Sequence, residues 1–258
     1  MAYLSYSTEG RVGTVLLQNA PANALCSPMI KEIDSALDHF EEDPKVKAIV
    51  IRGEGRFFSA GADIKEFTTV KGEQAFAELG AYGQRVFDRI EQFSKPIIAA
   101  IHGAALGGGL ELAMACHIRI VTDTAKLGLP ELQLGLVPGF AGSQRLPRYV
   151  GVPKAAELLL TSEPINGKEA AQWGLANHSA ESNEELIEKA YALAKKAAGK
   201  SAVAVKSALE LLDYARNNEF EAGSKKESEL FGKAFASHDG QEGIQAFIEK
   251  RKPNFQDH

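Results

Sequence analysis

The chain has 258 residues, of which 45% are hydrophobic and 24% are charged, and its formal net charge is −5. This balance is typical of a globular protein and excludes the disordered and fibrous classes. Because Lys and Arg are scattered through an acidic chain, we expect no basic surface for nucleic acid and predict no nucleic-acid partner.

The first half of the chain predicts strands and helices in alternation. Residues 12–17 are apolar and β-branched, which predicts a strand. Ser27 is a candidate N-cap for an amphipathic helix over residues 28–43, where apolar side chains recur at helical spacing. Residues 47–52 predict a buried strand that leads into a glycine-rich loop at 53–63. Since functional residues concentrate on loops held by a rigid scaffold, this loop is the first candidate for an active site.

The order of strand, glycine-rich loop and helix then repeats. A helix over residues 72–93 precedes a strand at 96–101, and the glycine cluster at 103–109 opens a helix over 110–116. Residues 118–121 predict a further strand. Strands that alternate with helices indicate the α/β class.

Beyond Pro153 the pattern is helical almost to the end of the chain. Capping boxes that begin at Asn166 and Ser182 predict helix starts, and Gly199 is a candidate helix stop. We therefore divide the chain into an α/β core that holds the active site, residues 1–200, and a helical C-terminal region, residues 201–258.

The N-terminal segment and the cysteines bear on the compartment. No basic stretch is followed by an apolar one at the N-terminus, and no run of eighteen apolar residues occurs. Cys26 and Cys116 lie far apart and outside any CxxC pattern, so neither a disulfide scaffold nor a zinc site is indicated. We predict a cytoplasmic protein that does not span a membrane.

Several catalytic signatures are absent from the sequence. Residues 107–112 lack the third glycine of a dinucleotide fingerprint, and no segment fits the complete P-loop pattern. Ser59 is one glycine short of a nucleophile elbow, and the six histidines form no HExxH pair. We therefore predict no cofactor and no metal site, and neither a nucleotide-dependent enzyme nor a serine hydrolase is supported.

Two glutamates follow the glycine-rich loops at positions suited to acid–base chemistry. Glu111 lies just inside the helix that begins at the glycines, where free backbone N–H groups and the helix dipole favour negative charge. Such N–H groups could also stabilise a developing oxyanion. Glu131 follows Pro130 in an apolar neighbourhood, which predicts a raised pKa and suits a proton donor.

Each of these features also has a purely structural interpretation. Three consecutive glycines are more often a tight turn or a close-packing site, and a glutamate in the first turn of a helix is usually a favourable charge on the dipole. Glu131 alone could be a solvated loop residue, and Asp63 with Lys65 could be an exposed ion pair of small energetic value. Only the combination favours catalysis.

Four segments together carry a recognisable pattern. They are FSAGADIKE at residues 58–66, HGAALGGGLELA at 102–113, PELQLGLVPG at 130–139 and QRLPR at 144–148. Their order and spacing closely resemble the crotonase family, also called the enoyl-CoA hydratase/isomerase family. The resemblance extends from about residue 12 to the segment FIEKRKPNF at 247–255.

The resemblance implies an α/β fold of the crotonase type, a spiral of repeated strand–strand–helix turns with a helical C-terminal region that forms trimers. It implies an acyl-CoA substrate and a homotrimer or a homohexamer built as a dimer of trimers. The backbone N–H groups of Ala62 and Gly108 are expected to form the oxyanion hole for the thioester carbonyl. The other residues expected to bind the substrate are Ala60, Asp63, Ile64, Lys65 and Gly139, together with Phe231, Phe247 and Lys250, which would reach coenzyme A in a neighbouring subunit.

For the reaction, the resemblance implies reversible hydration of trans-2-enoyl-CoA to 3-hydroxyacyl-CoA, with fatty acid β-oxidation as the expected pathway. Glu111 is expected to orient the water and assist its deprotonation, while Glu131 donates a proton to the α-carbon. Gly139 is expected to direct an N–H that helps to position Glu131. Isomerase members commonly keep only the second carboxylate, so the pair favours hydration; isomerisation, acyl-CoA hydrolysis and a non-catalytic coenzyme A-binding subunit remain alternatives.

Two positions depart from the family pattern. Many hydratases have aspartate where this chain has His117, and often a small residue where it has Phe140. We expect the Phe140 ring to narrow the acyl pocket toward short or medium chains, because the ring fills volume that a longer tail would need.

Overall fold

The computed structural model describes residues 2–258, and its strands form two β-sheets. The strands are β1 (Leu4–Glu9), β2 (Val12–Leu17), β3 (Ala48–Gly53), β4 (Ile97–Ile101), β5 (Ala104–Leu106), β6 (Ile118–Thr122), β7 (Lys126–Gly128), β8 (Ile165–Asn166) and β9 (His178–Ala180). The larger sheet has the order β1-β2-β3-β4-β6-β9, and the smaller one has the order β5-β7-β8.

Helices connect the strands and form the C-terminal part of the chain. They are α1 (Ser27–Glu42), α2 (Ile64–Phe67), α3 (Glu73–Glu91), α4 (Gly108–Ala115), α5 (Gly142–Thr161), α6 (Gly167–Gln172), α7 (Asn183–Ala198), α8 (Ala202–Asn217), α9 (Phe220–Ala236) and α10 (His238–Ile248). A 3-10 turn spans Glu131–Leu134. The predicted α/β class is confirmed.

The central strands of the larger sheet, β2, β3, β4 and β6, are buried on both faces. Strands β1 and β2 pair antiparallel, and every further pair from β2 to β9 is parallel. Side chains of β3 alternate between two cores, since Ile49 and Ile51 pack with Phe40 of α1, whereas Val50 packs with Leu186 of α7. Parallel strands covered on both faces explain why these segments are continuously apolar.

The smaller sheet brings together the two segments that carry the predicted glutamates. Strands β5 and β7 pair in parallel, so the loops that follow them leave from the same edge. The chain passes from β5 through Gly107 into α4, which carries Glu111, and from β7 through Pro130 to Glu131. Residues twenty positions apart in sequence thereby reach one site.

The structure corrects several predicted boundaries. The strand at residues 12–17 is confirmed, but β1 was not predicted, since only one of its six residues is buried. Ser27 is not an N-cap: α1 begins at Ser27 with Cys26 at the cap. The Ser27 N–H is instead hydrogen bonded to the carboxylate of Glu66, at 2.9 Å. A carboxylate distant in sequence thus replaces the local cap.

Other boundaries fall close to their predicted places. Helix α4 begins at Gly108, two residues before the predicted start. Helix α5 is kinked at Gly151, which has φ +75°; the part after the kink agrees with the helical pattern predicted beyond Pro153, whereas the part that begins at Gly142 was not predicted. The capping box at Asn166 is confirmed, and so is the stop at Gly199. At Ser182 only half of the box forms, because the carboxylate of Glu185 accepts from Glu181 N instead.

The C-terminal helices α8 to α10 lie largely on the outside of the core. Helix α8 has no buried residue, and α9 buries only Leu230. Two ion pairs link this part to the core: Arg216 of α8 lies 3.1 Å from Glu91, and the largely buried Lys47 pairs with Asp257. The division at residue 200 remains a prediction.

No helix within residues 2–258 combines the length and the apolar character needed to cross a membrane.

Candidate active site

A cavity of about 680 Å³ lies where the loops after β5 and β7 approach α3. The predicted site residues that line it are Ala60, Ala62, Ile64, Gly108, Glu111, Glu131 and Gly139. Its aromatic walls include Phe140 and also Phe67 and Phe76, whose rings meet edge to face at 4.9 Å. The volume lies within the range of small-molecule pockets, and the mostly apolar lining desolvates the carboxyl groups that face it.

Ser59 holds the two glycine-rich loops against each other. Its N–H donates to Ala104 O and its carbonyl accepts from Leu106 N, each at 3.1 Å, so this loop runs beside β5. A Cβ on Gly109 would lie 2.4 Å from Ser59 O, so the approach requires glycine. The Ser59 hydroxyl is buried and donates to Asn23 O at 2.7 Å. Its role is therefore structural.

The close approach of the loops places two backbone N–H groups near each other. A Cβ built on Gly108 would lie 3.4 Å from Ala62 N, and one built on Gly61 would lie 3.7 Å from Gly108 N. Neither the Ala62 N–H nor the Gly108 N–H donates to an acceptor within residues 2–258. Gly108 is the first residue of α4, whose dipole favours negative charge. This pair is able to bind an oxygen on which negative charge develops.

Glu111 is fixed by two backbone donors from the segment that leads into α5. Its side chain is buried, and Oε1 accepts from Phe140 N at 2.8 Å and from Gly142 N at 2.7 Å. Burial raises the pKa of Glu111 to about 7, with a further contribution from the nearby negative charge of Glu131. The two N–H donors and the Arg145 charge oppose this rise. The group is therefore able to exchange a proton near neutral pH.

Glu131 begins the 3-10 turn and faces the same cavity. Burial raises the pKa of this carboxyl group. Its Oε2 atom is buried and has no hydrogen-bond partner within residues 2–258. A Cβ on Gly107 would lie 2.9 Å from Glu131 Oε1, and Gly107 has φ +50°, so both contact and conformation favour glycine there. A desolvated carboxyl group with one oxygen free of hydrogen bonds is suited to proton transfer to a bound molecule.

The backbone donors near the Pro-Gly turn differ from those that we expected. Gly139 lines the cavity, but its N–H does not bond to Glu131. Its carbonyl accepts from Gln84 Nε2 at 2.9 Å. The next N–H groups along the chain, those of Phe140 and Gly142, bind Glu111 instead. Sequence reasoning missed both donors, although a glycine at 142 was a possible sign of close approach.

The Phe140 ring packs between helices as well as lining the cavity. It is edge to face with Phe87 at 5.3 Å, and a Cβ on Gly83 would lie 2.3 Å from its ring. A Cβ on Gly108 would lie 3.1 Å from the ring. The aromatic side chain therefore occupies space directly beside the candidate oxyanion hole.

The other residues of the first loop occupy different positions around the cavity. Ile64 lines it and is 47% exposed, whereas Asp63 and Lys65 do not line it. The carboxylate of Asp63 caps α2 by accepting from Lys65 N at 3.0 Å. The partner of the Asp63 carboxylate is thus the Lys65 backbone N–H and not the side-chain ammonium of the ion pair considered from the sequence.

The predicted C-terminal contacts lie elsewhere in the single chain. Phe231 is 75% exposed and Phe247 is 85% exposed, and neither residue lines the cavity. Lys250 does not line it either. Their expected role in a neighbouring subunit stays a prediction.

His117 is a packing residue at the end of α4. Its Nδ1 atom accepts from Ile97 N at 2.9 Å, at the start of β4. Burial lowers the pKa of His117 to about 4, and the positive charges of Arg216 and Arg119 act in the same direction. The ring is thus neutral near pH 7 and lies outside the cavity lining.

The chain resembles known proteins over almost its whole length. Residues 7–258 match the family model described as enoyl-CoA hydratase/isomerase. The chain is 57% identical to a probable enoyl-CoA hydratase of Bacillus subtilis strain 168, an alignment that covers 99% of both chains. It is 41% identical to a short-chain-enoyl-CoA hydratase of Clostridium acetobutylicum, over 95% of this chain and 94% of that one.

Solved structures resemble the whole chain as well. An enoyl-CoA hydratase from Bacillus anthracis superposes with a TM-score of 0.94 at 34% identity, covering 99% of this chain and 100% of the other. The predicted fold type is therefore confirmed.

Proposed function

The chain belongs to the enoyl-CoA hydratase/isomerase family, and on that premise we propose that it is a hydro-lyase that adds water reversibly to trans-2-enoyl-CoA. The product is a 3-hydroxyacyl-CoA. The observation that carries this proposal is the meeting, in one cavity, of two unbonded backbone N–H groups and two desolvated carboxyl groups.

The N–H groups of Ala62 and Gly108 act on the thioester carbonyl. Hydrogen bonds to the carbonyl oxygen withdraw electrons from the conjugated double bond, which makes the β-carbon electrophilic. The same bonds stabilise the enolate oxygen after water has added. One donor of this kind typically contributes about 3–4 kcal/mol of transition-state stabilisation.

The two glutamates divide the proton transfers. Glu111, held by two N–H donors, orients the water and takes one of its protons as the hydroxyl group bonds to the β-carbon. Glu131 is protonated at the start and gives its proton to the α-carbon. One proton passing from Glu111 to Glu131 through the next water restores the starting state. These proton-transfer steps use no redox cofactor or metal ion. That the enzyme needs neither stays a prediction.

We also propose how the substrate and the subunits are placed. The first loop, with Ala60, Asp63, Ile64 and Lys65, binds coenzyme A, and Ile64 offers an exposed apolar contact for the adenine. The helical C-terminal region forms a homotrimer or homohexamer, in which the exposed Phe231 and Phe247 side chains, with Lys250, contact coenzyme A bound to a neighbouring subunit. A role in fatty acid β-oxidation rests on the family resemblance.

The test is the loss of conjugated-thioester absorbance when a short trans-2-enoyl-CoA is mixed with the protein. We expect rapid loss with the wild type and about 10²–10⁴-fold slower loss with Glu111→Gln or Glu131→Gln. Glu163→Gln, an exposed glutamate outside the cavity, is the matched control and should retain full activity. An inert wild type that still binds the thioester would refute hydration.

A further inference from the structure

One buried guanidinium group lies directly behind the backbone donors of Glu111. Arg145 is 2% exposed, and its Nη1 donates to Phe140 O at 2.9 Å. The N–H of the same Phe140 donates to Glu111 Oε1 at 2.8 Å. The backbone of Phe140 alone therefore links the guanidinium of Arg145 to the carboxylate of Glu111.

Two carboxylates of α3 fix the orientation of this guanidinium. Arg145 Nε donates to Glu91 Oε2 at 3.1 Å, and Nη2 donates to Asp88 Oδ1. Glu91 is itself buried. All three nitrogens of the planar guanidinium group therefore donate hydrogen bonds at once, one to a backbone carbonyl and two to carboxylates. Lysine, with a single ammonium group, does not reproduce this geometry.

The backbone that Arg145 holds is in an unfavourable conformation. Ala141, between the two donor residues, has φ +67°, a left-handed conformation that non-glycine residues rarely adopt. Such a conformation persists when the surrounding contacts fix it. From α5, the side chain of Arg145 holds this segment through its hydrogen bond to Phe140 O.

We propose that Arg145 is a positioning residue for Glu111: by holding the carbonyl of Phe140, it keeps the N–H groups of Phe140 and Gly142 directed at the catalytic carboxylate, and Glu91 keeps Arg145 in place. This inference deepens the proposed hydration and rests on it. The arginine acts through the backbone and does not touch the substrate.

The charges around Glu111 give the direction of the effect on pH dependence. The Glu131 charge raises the pKa of Glu111, whereas the two N–H donors and the Arg145 charge lower it. Asp88 and Glu91 of α3 lie behind Arg145 and are engaged by it. Removing Arg145 therefore removes one positive charge and loosens two donors, so the pKa of Glu111 rises further.

The experiment compares Arg145→Gln, Arg145→Lys and Glu91→Gln with the wild type in hydration of a short trans-2-enoyl-CoA across pH. We expect kcat to fall about 10- to 100-fold in Arg145→Gln, since small displacements of a catalytic group have effects of this size. KM should change little, and the acidic limb of the kcat profile should move to higher pH. Arg145→Lys, which keeps the charge but not the fork, should lose kcat with a smaller movement of that limb.

Arg89→Gln is the matched control for the loss of an arginine that forms ion pairs with α3 or from it. Arg89 lies on α3, like the two carboxylates that bind Arg145, and it pairs with the carboxylates of Asp34, Asp38 and Glu41 of α1, each at 2.7 Å. We expect this variant to lose thermal stability while keeping the kcat profile of the wild type.

Several outcomes would overturn the proposal. One is a folded Arg145→Gln protein with the kcat and the pH profile of the wild type. If that variant does not fold, Glu91→Gln decides, and a wild-type profile in Glu91→Gln counts against the proposal. Failure of hydration itself would appear in the wild type. In that case the titration of the Glu111 carboxyl carbon by ¹³C NMR, assigned with Glu111→Gln, still tests whether Arg145→Gln raises its midpoint.

Discussion

Substitution of Gly142 by alanine would place a methyl group directly against the side chain of Glu111. The new Cβ would lie 2.8 Å from both Cγ and Oε1 of Glu111 and 3.1 Å from its Cδ, and these are the three nearest atoms. Restoring an ordinary contact of 3.4 Å from 2.8 Å requires a movement of about 0.6 Å. Gly142 has no positive φ, so the methyl group adds no backbone strain.

The displacement weakens the 2.7 Å hydrogen bond from Gly142 N to the carboxylate. Hydrogen bonds to charged groups contribute about 1.5–3 kcal/mol, which corresponds to roughly a 10- to 150-fold change in rate if the bond is used in the transition state. We expect kcat for a short trans-2-enoyl-CoA to fall by about that factor, with KM nearly unchanged.

The assay is steady-state hydration followed by thioester absorbance, with thermal unfolding to confirm the fold. Gly139→Ala is the comparison within the same loop, because its Cβ would meet no atom within 4 Å. It should lose far less activity than Gly142→Ala. Equal activities of the two variants would refute the assignment of Glu111 as a carboxylate whose position limits the rate.

Three further predictions follow from the site. Because burial raises the pKa of Glu111 from 4.5 to about 7, the folded state binds this proton more tightly than the unfolded chain, and the group costs stability as the pH rises through that interval. In denaturant unfolding, Glu111→Gln should therefore become more stable than the wild type as the pH rises from about 5 to about 8, by up to about 3 kcal/mol. A difference in stability that does not depend on pH would contradict the burial argument. Gly107→Ala, with φ +50° and a Cβ only 2.9 Å from Glu131 Oε1, should lower both kcat and the melting temperature, and unchanged kinetics would show that Glu131 is not confined there. Phe140→Leu should raise kcat/KM for long-chain relative to short-chain enoyl thioesters, whereas an unchanged ratio would show that this ring does not limit the acyl chain.

The parts of the fold that follow local rules could be predicted from the sequence. Strand β2 and the core of β3 are continuously apolar because parallel strands are buried on both faces. Strand β1 could not be found in this way, since its edge position leaves it polar and almost wholly exposed. The N-cap of α1 was misplaced because the carboxylate that binds Ser27 N comes from Glu66, distant in sequence.

The candidate site shows the same division. Its glutamates and glycines were identified from the sequence because the motifs are compact. The donors to Glu111 were not, since they lie 29 and 31 residues further along and depend on how α5 packs against α4. The clamp of Arg145 by two carboxylates of α3 is equally a tertiary feature. The cytoplasmic location, the subunit assembly and the C-terminal substrate contacts stay predictions.

The most direct test of hydration is mass spectrometry of the product formed from a short trans-2-enoyl-CoA in ¹⁸O-labelled water. The account predicts a 3-hydroxyacyl-CoA with one ¹⁸O atom on the β-carbon, formed by the wild type and strongly reduced in Glu111→Gln. Free coenzyme A with a labelled carboxylic acid, or a thioester with a shifted double bond and no label, would contradict it.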